Sequence, residues 1–106
     1  MVKRKACIFI SGSGTNLRSI IKNSRDYNFP VNINLVISNK KNVKGIYFAK
    51  KFSIPYIILD VKKEKFEKKA IKELVERKID LVCLAGFMKI LSKSFIRNFK
   101  GKIINI

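Results

Sequence analysis

The apolar run Ala6-Cys7-Ile8-Phe9-Ile10 passes without a linker into Ser11-Gly12-Ser13-Gly14-Thr15-Asn16, and a helical pattern starts directly after it. Leu17, Ile20 and Ile21 repeat at i, i+3 and i+4, with Arg18, Lys22 and Asn23 off that face. A strand, a glycine-rich turn and a helix in this order restrict the fold more than any other stretch. Such a unit aims several backbone N–H groups and the positive end of a helix at one point, where anions collect. Thr15 and Asn16 both suit the cap of that helix. The same glycines also serve a tight turn that binds nothing, so the loop alone leaves both readings open.

Strand and helix signals then alternate. Asn32 to Ile37 reads as a second strand, closed by Ser38-Asn39-Lys40, and Gly45 to Phe52 as a short helix. Pro55 to Leu59 reads as a third strand, with its proline at the edge where a missing donor is tolerated. Lys62 to Lys78 carries the clearest helical pattern. Phe66, Ala70, Ile71, Leu74 and Val75 make its apolar face, and Glu64/Lys68 and Glu73/Arg77 form i, i+4 pairs opposite. Asp80 to Ala85 is a buried fourth strand, Ser92 to Phe99 a last helix, and Lys102 to Ile106 starts a fifth strand.

This alternation predicts an α/β fold: one doubly wound, Rossmann-like, mostly parallel sheet over residues 1–106, in the order 3-2-1-4-5. Winding then reverses between strands 1 and 4, and a crevice opens above their carboxyl ends. The glycine loop, the segment Gly86-Phe87-Met88-Lys89 and Asn105 are expected to meet there.

Composition removes several function classes. With 47% hydrophobic and 29% charged residues, the chain is not globally disordered. No apolar stretch approaches the ~20 residues of a membrane helix. The basic start Met1-Val2-Lys3-Arg4-Lys5 precedes too few apolar residues for a signal peptide. A cytoplasmic chain without a membrane partner is therefore expected. Cys7 and Cys83 lie in apolar runs and read as reduced core thiols, and with no histidine present no metal site is expected. The net charge of +17 comes from lysines spread along the chain without one dense tract. The expectation is no specific nucleic-acid partner, but enrichment of anionic substrates near the glycine loop.

A dinucleotide fingerprint would need a third glycine where Leu17 stands and a carboxylate near Ser38-Asn39-Lys40. Both are missing, which disfavours NAD; NADP, with Lys40 or Lys41 on the extra phosphate, remains an alternative. A Walker loop is excluded, because no Gly-Lys-Ser/Thr follows the glycines. One terminal phosphate on a small substrate fits better than a pyrophosphate.

Four ordered segments carry a resemblance. Ile10 to Leu17, Val36 to Lys40, Leu84 to Ser92 and Ile103 to Ile106 resemble the phosphoribosylglycinamide formyltransferases, in register from about Ala6 onward. That resemblance implies transfer of a formyl group from 10-formyltetrahydrofolate, the cosubstrate, to the amine of 5-phosphoribosylglycinamide in purine biosynthesis. Transfer-RNA formyltransferases and formyltetrahydrofolate hydrolases share the fold but look less similar at the glycine loop and at Ala85-Gly86-Phe87-Met88. By position, the resemblance implies that Gly14, Thr15 and Asn16 hold the substrate phosphate. It implies that Met88, Lys89, Ile90 and Leu91 line the pterin pocket, and that Lys63 contacts the folate near its glutamate tail. The bland reading is that Phe87, Ile90 and Leu91 merely cover the sheet end, and that Lys63 is solvated. Asn105 is the implied catalytic residue, an amide donor for the formyl oxygen as charge develops there.

The family's catalytic acid is a histidine two residues beyond that asparagine, supported by a later aspartate. Neither is present in these 106 residues. The chain is therefore expected to be the N-terminal nucleotide-binding part of a truncated formyltransferase domain, inactive alone and prone to self-association through an exposed last strand. The alternatives are a split enzyme completed by another chain, and a non-catalytic phosphate- or nucleotide-binding module.

Overall fold

The computed structural model describes residues 3–12, 15–26 and 30–106. Five strands alternate with four helices: β1 (Arg4–Ile10), α1 (Thr15–Ser24), β2 (Val31–Ser38), α2 (Lys44–Lys51), β3 (Tyr56–Ile58), α3 (Lys63–Glu76), β4 (Leu81–Leu84), α4 (Lys93–Asn98) and β5 (Lys102–Asn105). They form one sheet in the order β3-β2-β1-β4-β5, and every neighbouring pair is parallel. The expected order and the α/β class are those observed.

β1 is central because its sequence allows it to be. Ala6 to Ile10 are apolar without interruption and completely buried, as a strand covered on both faces requires. Alternation then divides the core. Ala6, Ile8 and Ile10 pack with Leu17 and Ile21 of α1 and Ile46 and Ala49 of α2. Cys7 and Phe9 face the other way, into Phe66, Ala70 and Leu74 of α3 and Phe95 of α4. Phe9 meets Phe66, Phe87 and Phe95 edge-on, with ring centroids 5.4–5.9 Å apart.

Val75 departs from its expected place. The buried stripe of α3 is Phe66, Ala70 and Leu74, and Val75 is 64% exposed. One residue past Leu74 turns the side chain by about 100°, off the stripe and towards water. Of the two expected ion pairs, Glu73/Arg77 forms at 3.1 Å, and Glu64/Lys68 is not paired. Pro55 lies just outside β3, yet its carbonyl accepts from Val36 N at 2.9 Å. Cys7 and Cys83 are buried and unpaired, as expected of core thiols. Among the described residues no helix is long and apolar enough to cross a membrane.

Candidate functional site

Every strand of a parallel sheet points its carboxyl end to the same rim, so the loops after β1 and β4 and the end of β5 share one end of the molecule. The first of them is tied down by Ser11, which is 3% exposed. Its hydroxyl donates to Asn39 Oδ1 at 2.5 Å and accepts from Met88 N at 2.9 Å. One oxygen thus joins the ends of β1 and β2 to the segment after β4. Asn39 N donates in turn to the Ile10 carbonyl at 3.3 Å. Gly12 O accepts from Gly45 N at 3.3 Å, which brings α2 against the glycine loop. A Cβ on Gly45 would lie 2.1 Å from Ile10 Cδ1, so a larger residue there would have to push the end of the Ile10 side chain aside.

Of the expected phosphate-binding residues, Gly14 lies outside the described residues, as does the side chain of Thr15. The backbone of Thr15 opens the ten-residue α1, and Asn16 is exposed in its first turn, which contains no acidic residue. The first turn of this helix therefore offers amide donors and no competing carboxylate.

Beyond β4 the chain turns at Gly86 with φ +67°, and Phe87 folds back onto Phe9 and Phe66. The next residues are held at both ends. Met88 N is fixed by Ser11, and Glu67 of α3 accepts from Ser92 N at 2.8 Å and from Ser92 Oγ at 2.6 Å. Ser92 Oγ also accepts from Phe95 N and so caps α4. Between these anchors, Met88 and Ile90 expose their side chains, while Lys89 and Leu91 are half-buried. Phe87 and Leu91 do cover the sheet end; Ile90, 84% exposed, does not.

Met88, Lys89, Ile90 and Leu91 line one cleft of about 570 Å³ together with Asn105, Leu84, Phe87 and Ile103. Asn105 is the last residue of β5, in register beside Leu84, and it is exposed. The fold thus brings the Met88–Leu91 segment and Asn105 to one cavity and connects that segment to the glycine loop through Ser11. It does not bring Lys63 there. Lys63, exposed at the start of α3, lines a separate groove of about 560 Å³ with Glu67, Ser92 and Phe95. Among the described residues no cluster of cysteine, aspartate and glutamate could hold a metal ion.

Sequence reading placed Ser11 in the glycine loop but not its bonds to Asn39 and Met88, and it missed Glu67 and Gly45 as parts of this site. The Ser11 bonds span 28 and 77 residues and the Glu67 bonds 25, so no local pattern announces them. Ser92, three residues before Phe95 at the start of a helical pattern, carries a local cap signal.

Against known proteins, the profile of the formyl transferase family matches residues 4–106. The chain is 41% identical over 108 residues to the trifunctional purine biosynthetic protein adenosine-3 of Homo sapiens, spanning 98% of this chain and 11% of that protein. It is 38% identical to the phosphoribosylglycinamide formyltransferase of Haemophilus influenzae, spanning 97% of this chain and 50% of that protein. Among solved structures, the phosphoribosylglycinamide formyltransferase of Brucella melitensis superposes with a TM-score of 0.89 at 34% identity, over 97% of this chain and 56% of that one. The chain therefore spans about half the length of these bacterial relatives.

Proposed function

The chain belongs to the formyl transferase family, and from that premise we propose that it forms the nucleotide-binding part of a phosphoribosylglycinamide formyltransferase. Its substrate is then 5-phosphoribosylglycinamide, its cosubstrate 10-formyltetrahydrofolate, and its compartment the cytoplasm. In this reading the loop at Gly14, Thr15 and Asn16 holds the phosphate through backbone amides, and Met88 to Leu91 line the wall for the pterin. Lys63, from its neighbouring groove, reaches only the distal, anionic end of the folate.

The observation that supports this reading best is the shared cavity of Asn105 and the Met88–Leu91 segment. A half-apolar cleft suits a flat heterocycle, and the residues present fit it. The substrate amine attacks the formyl carbon, and negative charge gathers on the formyl oxygen. The Asn105 amide donates to that oxygen, an effect worth about 3–4 kcal/mol where such donors have been removed. The 106 residues contain no histidine. A proton donor of that type must come from outside them.

Titration calorimetry with 5-phosphoribosylglycinamide tests the assignment. Wild type should give binding heat and Gly14→Val should give none, because a branched side chain blocks the approach of the phosphate to the amides. Equal heats from both proteins would remove the phosphate-loop reading.

A further inference from the structure

We propose that Ser11 is a positioning residue that couples the two halves of the site, so that an anion on the glycine loop is sensed at Met88. The inference rests on the phosphate-loop reading above and extends it to a residue that touches neither ligand.

A hydroxyl has one proton to give. Asn39 Oδ1 takes it at 2.5 Å, which turns the remaining lone pairs towards Met88 N at 2.9 Å. Both side chains are buried, Ser11 at 3% exposure and Asn39 at 6%, so water does not compete well for either bond. Ser11 is covalently next to Gly12, whose carbonyl is itself engaged by Gly45 N. Any adjustment of the glycine loop around an anion is thereby transmitted to Ser11 Cα and through its hydroxyl to the Met88 amide. On the far side, Glu67 fixes Ser92, so a displacement at Met88 is confined to Met88–Leu91, which form one wall of the cleft. The device sets the pterin wall according to whether the phosphate is in place.

Amide NMR of the whole chain, titrated with ribose 5-phosphate, tests this. In wild type the Gly12 and Met88 resonances should move together with one apparent Kd. In Ser11→Ala the Gly12 resonance should still move with its affinity nearly unchanged, while Met88 stays still. Met88 amide exchange should also become about tenfold faster, the value of one net hydrogen bond. Ser11→Thr, which keeps the hydroxyl, should restore the joint response. Asn39→Ala, which frees the hydroxyl to rotate, should weaken it, and serves if Ser11→Ala does not fold. The coupling is overturned if Met88 still follows Gly12 in the hydroxyl-free variant, or if Met88 stays fixed in wild type while Gly12 moves. If Gly12 itself does not respond to the phosphate, the phosphate-loop reading fails and the coupling fails with it.

Discussion

Cys7 and Cys83 stand on neighbouring strands but face opposite layers of the core. Burial raises the pKa of the Cys7 thiol well above its ordinary value of 9.0, and the nearby Cys83 adds to the rise. Burial alone raises that of Cys83. A folded-state pKa above the unfolded one means that the native state holds its proton more tightly. The contribution is fully present below the unfolded pKa and is lost as pH climbs from there through the folded value. Urea unfolding of wild type and Cys7→Ala between pH 7 and pH 10 should therefore show wild type losing more stability than the variant over that span. Parallel curves would contradict it. Individual side chains were legible in the sequence where periodicity decides and illegible where a distant partner does. The burial of Ile8, Phe9 and Leu74 followed from spacing, whereas the partners of Ser11 lie in two other loops. Val75 was misplaced because a helix of that composition accepts either Leu74 or its neighbour at the rim of the apolar stripe.

At the level of elements, the short α4 depends on an acidic residue from another helix. Ser92 caps it, and Glu67 holds Ser92 through both backbone and hydroxyl. Ser92→Ala should cost about 1–2 kcal/mol in urea unfolding. Glu67→Ala should cost a similar amount, and the double variant clearly less than the sum, since both remove the same contact. Additive losses would show that the contact carries no weight. Among the described residues β5 pairs only with β4, and Ile104 and Ile106 are exposed. An open apolar edge invites another strand, so sedimentation should reveal concentration-dependent association that Ile104→Lys reduces. All nine elements were readable in order, because each apolar run is bounded by turn residues. Their ends shifted by one or two positions, where hydrogen bonding rather than composition sets the limit. The candidate site was readable as three converging segments. The separate groove of Lys63 was not, since it depends on how residues 59–62 leave the sheet.

For the molecule as a whole, charge is unevenly distributed. Of the seven acidic residues, only Asp26 precedes Asp60, so β1, α1, β2 and α2 contain no carboxylate, while β1, α1 and α2 carry basic groups. With a net charge of +17 the folded state repels itself, and screening should relieve that. Tm should rise with sodium chloride, and rise further in phosphate at matched ionic strength if the glycine loop binds a dianion. Equal effects of the two salts would argue against a specific anion site. One practical corollary comes from the sheet being parallel throughout. Arg4 enters at the rim farthest from the cleft, whereas Asn105 belongs to the cleft itself. An affinity tag or surface tether attached ahead of β1 leaves the mouth clear, and whatever follows β5 emerges beside it.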